Sequence, residues 1–75
     1  MTTNMTAREL AEYAKKSRPN VRYAYNQKNN GVAAWFENRW VTVAMRTILG
    51  HWAEVKGELF INGKPASDGY IWTEV

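Results

Sequence analysis

The sequence predicts an α+β fold: one N-terminal amphipathic helix packed on a small, mostly antiparallel sheet of four to five strands, with a second short helix also admitted. Three observations carry that expectation. A capping-box pattern precedes a single apolar stripe near the N-terminus. From Val21 onward the chain alternates apolar and polar residues and is rich in strand formers. Two Asn-Gly pairs, the strongest short hairpin signal, punctuate the alternating stretches.

The helix is the clearest element. Thr6-Ala7-Arg8-Glu9 places a hydroxyl at the cap and a carboxylate three residues on, so each can satisfy the other's backbone amide. Met5 and Leu10 occupy the staple positions. Ala7, Leu10, Ala11 and Ala14 form a narrow apolar stripe with Tyr13 beside it. Arg8–Glu12 and Glu12–Lys16 are spaced as i,i+4 pairs. Pro19 excludes Arg18 from the α region, so the helix should stop near Ser17.

A meander follows. Val21–Gln27 reads as a strand, and Asn30-Gly31 as a type I′ turn that sets Tyr25 against Phe36 and Asn26 against Trp35. A second reversal falls at 37–38 or 38–39. Either choice gives one face with Tyr23, Tyr25, Ala34, Phe36, Val41 and Val43, which should carry the helix. The opposite face holds Arg22, Ala24, Asn26, Ala33, Trp35, Trp40 and Thr42. Residues 44–56 are ambiguous: Met45, Ile48, Leu49 and Trp52 fit a helical stripe, although Gly50 inside it costs about 1 kcal/mol. A short helix is expected there, with extended structure as the alternative. Residues 59–65 read as a tight hairpin on Asn62-Gly63, with Pro65 on an edge. Asp68-Gly69 turns the chain into a final strand over 70–75.

Seventy-five residues are read as one domain over 1–75, with a polar tail at 1–5. The absence of cysteine removes disulfides, thiolate nucleophiles and cysteine zinc sites. No stretch approaches the roughly 18 unbroken apolar residues of a membrane span, and the N-terminus has no signal-peptide pattern, so no membrane association is expected and a cytoplasmic location is. Asn4-Met5-Thr6 fits the glycosylation pattern by chance on that view.

Catalytic groups are scarce. His51 is the only histidine and Ser17 and Ser67 the only serines. A Ser67/His51/Asp68 set lacks any nucleophile-elbow context, and adjacent Ser and Asp suit a turn. A zinc site needs three or four ligands, and no second histidine exists to join His51, so a loop histidine is expected. Glu54 and Glu58 read as a solvated face rather than an acid/base pair. No enzyme activity, cofactor or metal is expected.

Charge is the remaining signal. The net +3 is uneven: residues 13–46 hold seven basic side chains against one acid, and residues 47–75 hold two against four. Lys15, Lys16, Arg18, Arg22, Lys28, Arg39 and Arg46, interleaved with Trp35 and Trp40, would suit phosphate contacts and base stacking. The first expectation is therefore a small accessory or regulatory protein that binds nucleic acid, DNA or RNA. It requires those cations to converge while the acids of the C-terminal third lie elsewhere. The alternative is a small protein-binding modulator, an inhibitor or adaptor, acting through an aromatic and arginine patch. The plain structural reading makes Trp35 and Trp40 a cross-strand pair under the C-terminal hairpin and leaves the Lys/Arg run as a solvated helix end.

Overall fold

The reciprocal cap forms as its chemistry requires and starts α1 (Ala7–Ser17) in the computed structural model, which describes residues 5–56, 60–65 and 68–75. Readings that fall on residues 1–4, Glu58, Leu59 and Ser67 lie outside the described residues. The Glu9 amide donates to Thr6 Oγ1 at 3.1 Å, and the Thr6 amide donates to Glu9 Oε1 at 2.9 Å. The Thr6 amide foremost, and then the Thr6 hydroxyl, hold the Glu9 carboxyl below the ordinary carboxylate range. A third orphan amide, that of Ala7, is taken by Asn29 Oδ1 at 2.7 Å, which ties the helix start to a distant loop. Arg8 and Glu12 pair at 3.4 Å on the exposed face. At the far end the Arg18 amide still reaches the Ala14 carbonyl before Pro19 ends the helix. Thr6→Ala is expected to cost about 1 kcal/mol in urea unfolding, because the Glu9 amide loses its side-chain acceptor while the backbone half of the cap remains.

The sheet has five strands in the order β4-β3-β2-β1-β7, every neighbouring pair antiparallel. Its members are β1 (Tyr23–Asn26), β2 (Gly31–Phe36), β3 (Arg39–Arg46), β4 (Trp52–Glu54) and β7 (Trp72–Glu74). Between the last two, β5 (Phe60–Ile61) and β6 (Lys64–Pro65) form a separate two-stranded ribbon. Its turn is the expected Asn62-Gly63, with φ of 53° and 79°. Gly69, at φ 82°, turns the chain toward β7.

The first hairpin does not turn where the Asn-Gly pair suggests. Tyr25 faces Val32 and Ala24 faces Ala33, so the connection is the four residues 27–30 and Gly31 belongs to β2. Asn26 is the reason. Buried to 1% exposure, its side chain accepts from the Asn30 amide at 3.1 Å and donates to Asn30 Oδ1 at 2.7 Å. Its carbonyl accepts from the Asn29 amide, and Asn29 takes the left-handed conformation at φ 58°. The register moves by an even number of residues, so both faces keep their expected members.

The second reversal is the two-residue Glu37-Asn38 turn, both residues at positive φ, as a type I′ hairpin requires. Farther along β3 a bulge intervenes: Ala33 faces Thr42, but Val32 faces Ala44. Val43 is the extra residue, and beyond it Ala44 and Arg46 fall on the helix side.

Residues 44–56 form no helix. Strand β3 runs on to Arg46, and the turn over 47–51 returns the chain as β4. Thr47 closes that turn, its amide donating to the His51 carbonyl at 2.7 Å and its hydroxyl accepting from the His51 amide. Gly50 sits at φ 86°, outside the helical region. The apparent helical stripe is divided: Ile48 and Leu49 project fully into solvent at the turn, while Trp52 packs at the core margin.

Ala7 and Ala11, both without exposed surface, let α1 approach Tyr23 and Val32 closely. The helix lies over β1 and β2. It runs from the 27–30 loop, where Asn29 holds its start, toward the end of the sheet that carries the 37–38 turn.

Candidate functional site

One helix cannot cover this sheet. Five strands at ~4.8 Å spacing span ~19 Å between the outer strands, and a helix is ~10 Å wide. With α1 over β1 and β2, no other described element covers the helix-side surface of β3 and β4. The result is an apolar groove of about 720 Å³ along the flank of α1. Leu10 and Tyr13 form its helix wall, and Phe36, Val41, Val43 and Trp52 line its floor. Tyr13 on α1 is 58% exposed and Phe36 on the core face of the sheet 57%, so both aromatics stand uncovered beside the groove.

The groove has two unlike ends. At the 47–51 end it is closed. The Trp52 indole N–H donates to the Met5 carbonyl at 2.9 Å, and the Arg46 guanidinium donates to the same oxygen while lying 5.1 Å over the Trp52 ring. At the opposite end it opens between Arg18, at the C-cap of α1, and Lys56, beyond β4. Arg39 stands at this end too, paired across β2–β3 with Phe36 and so on the same face. Glu54 is the acid on the lining.

The nine residues singled out from the sequence do not form one surface. Arg18 lines the open end of the groove, and Arg39 is placed toward that end only by its pairing with Phe36. Lys15 and Lys16 lie on the other flank of α1, in a shallow cleft with Arg8, Glu12, Tyr25 and Glu74, and Lys15 Nζ donates to the Val21 carbonyl. Lys28 belongs to the 27–30 loop at the opposite end of the molecule, 5.7 Å from the Tyr70 ring, and Arg46 is held at that same end. Arg22, Trp35 and Trp40 gather on the far face of the sheet. The two indoles meet edge to face at 5.1 Å, and the Arg22 guanidinium lies 4.7 Å and 5.5 Å from their centroids. This matches the plain structural reading of a cross-strand tryptophan pair.

Arg22 is also neutralised, against the expectation that the C-terminal acids lie apart from the cations. Glu74, brought alongside Ala24 by β7, accepts from Arg22 Nη2 at 2.6 Å and from Arg22 Nε at 2.8 Å. The bidentate pair holds the Glu74 carboxyl below its ordinary range and raises the Arg22 guanidinium further. A carboxyl lowered in the folded state contributes stability above its unfolded pKa and loses it as the pH falls through the folded value. The melting-temperature advantage of the wild type over Glu74→Gln should therefore be full at neutral pH, shrink below the ordinary carboxylate range and vanish in strong acid. It should also shrink with added salt, since the pair is solvent-exposed.

His51 is exposed in the 47–51 turn. Among the described residues no three His, Cys, Asp or Glu side chains come together as a metal site, and no helix is long and apolar enough to cross a membrane. Compared with family models, curated proteins and solved structures, the chain matches none.

The floor of the groove was readable in part. Phe36, Val41 and Val43 were assigned to the helix-bearing face, but Trp52 and the open half of that face were missed. The signal lay in residues 44–54: read as two strands, they widen the sheet beyond what a single helix can cover.

Proposed function

We propose that this chain is a small protein-binding module that holds an apolar segment of a partner protein in the groove between α1 and the β3–β4 hairpin. The observation that carries the reading is the half-covered core face, with Tyr13 and Phe36 left exposed above an otherwise apolar floor. Aromatic anchors with arginine at the margin are the side chains that dominate protein interfaces. Selection of peptides from a random displayed library on the immobilised protein, with counter-selection on Phe36→Glu, tests it. Apolar peptides that bind the wild type at least about tenfold more tightly than the variant support the module. A selection that enriches nothing, or peptides indifferent to Phe36→Glu, refutes it.

A nucleic-acid reading retains one favourable observation. Lys15, Lys16, Arg18 and Arg39 all sit toward the end of the molecule where α1 finishes. Phosphate contacts by these cations would weaken steeply as salt rises from about 50 to about 200 mM, because each releases counterions. A titration of short DNA and RNA over that range, followed by tryptophan fluorescence, supports the reading if binding is salt-steep and lost in Lys15→Glu/Lys16→Glu.

A further inference from the structure

We infer that the occupant of the groove is an acidic amphipathic helix of the partner, an inference that rests on the docking function above and specifies its ligand. The dimensions favour a helix. The uncovered part of the sheet is two strands wide, about the ~10 Å that α1 itself occupies on β1 and β2. A second helix beside α1 would complete the layer by packing an apolar stripe on Val41, Val43 and Trp52, with Phe36 and Tyr13 closing over it.

An extended peptide fits less well. It would add to β4, the free edge, and so lie outside the groove rather than within it. Only three residues of β4 are available for such pairing. Among the described residues a second copy of this chain has no helix but α1 to offer. The outer face of α1 presents Arg8, Glu9, Glu12 and Lys16, and its apolar stripe is spent on Tyr23 and Val32.

Charge sets the character of the ligand. The closed end of the groove is capped by Trp52, whose indole N–H is taken up by the Met5 carbonyl, so its ring offers apolar surface there. The open end carries Arg18, Arg39 and Lys56, with Lys15 and Lys16 on the other side of the α1 terminus, against Glu37 and Glu54. Glu12 and Glu74 share the cleft of Lys15 and Lys16 and offset them, so the cations that face the groove are those on its own side of α1, Arg18 and Lys56 foremost. A helix with carboxylates flanking its apolar stripe is drawn to this field, and a basic one is repelled.

The test uses two labelled peptides of about eighteen residues, each with leucines at i, i+3, i+4 and i+7, one flanked by glutamate and one by lysine, followed by fluorescence anisotropy. The glutamate peptide should bind at least about tenfold more tightly at about 50 mM salt, with the gap closing near about 1 M. Arg18→Glu/Lys56→Glu, both exposed positions, should reverse the order, and Phe36→Glu should abolish binding of both peptides while circular dichroism remains native. Equal binding of the two peptides, or a preference that survives charge reversal, overturns the acidic ligand and leaves the docking module standing. Failure of both helices while the library yields extended peptides that depend on Phe36 overturns the helix alone. Failure of every peptide overturns the inference and the module together. A dimer of the wild type that Phe36→Glu converts to monomer assigns the groove to a second copy and overturns the inference.

Discussion

Gly31→Ala is expected to lower the unfolding free energy by about 2 kcal/mol, although alanine suits a strand better than glycine. The reason is local crowding, not backbone conformation. A Cβ at position 31 would meet Asn26 Nδ2 at 2.7 Å and Asn26 Cγ at 3.4 Å. Asn26 cannot yield freely, since both ends of its amide are committed to Asn30 and the side chain is buried. Asn26→Ala should itself cost about 2–3 kcal/mol, as it removes both bonds and leaves the Asn30 amide without its acceptor. The two effects should not add. With the Asn26 amide gone, the new methyl at position 31 has room, so Gly31→Ala should cost little in the Asn26→Ala background. Urea unfolding of the two single variants and the double variant measures that coupling. Simple additivity would mean that the clash does not govern the hairpin.

The second large effect is expected at the helix–sheet contact. Ala11→Leu should destabilise by about 3 kcal/mol, because Ala11 has no exposed surface and its methyl sets how closely α1 approaches Tyr23 and Val32. Three added carbons at that point must push the helix away from β1 and β2. Ala14→Leu, one turn later, makes an informative contrast. Ala14 is half-buried and lines the groove, so a larger side chain there can extend into open space. It should cost less than about 1 kcal/mol and lower the affinity for a docked helix, since it fills part of the same volume. Urea midpoints for the pair, combined with peptide binding by Ala14→Leu, separate a contact that builds the fold from one that borders the site.

What could be read in the sequence followed from chemistry that is local. Thr6 and Glu9 specify the start of α1 because each satisfies the other within one turn, and Pro19 ends it by sterics alone. Asn62-Gly63 turns as expected, both residues at positive φ between paired Ile61 and Lys64. Asn30-Gly31 does not, because Asn26, four residues earlier, offers the amide of Asn30 a buried acceptor. The face assignment survived because the slip was even. Residues 44–56 misled through spacing: Met45, Ile48, Leu49 and Trp52 recur as a helix would place them, yet Ile48 and Leu49 are solvent-exposed at a turn.

The candidate site was harder to read for the same reason. Cations close in sequence are not close in space: Arg22 points to the far face, and its partner Glu74 arrives from the last strand. Lys28 and Arg46 are carried to the other end by the lengths of β1 and β3. The groove lies where no described element covers β3 and β4, which no motif announces.

The account turns on whether a partner helix enters that groove. Amide and indole chemical shifts of ¹⁵N-labelled protein, titrated with the glutamate-flanked leucine peptide, test this directly. The predicted result is a set of changes confined to residues 10–18, 34–36, 41–44 and 52–56, including the Trp52 indole, with the Trp35 and Trp40 indoles unmoved. Changes centred on Trp35 and Trp40, or no changes at saturating peptide, would contradict it.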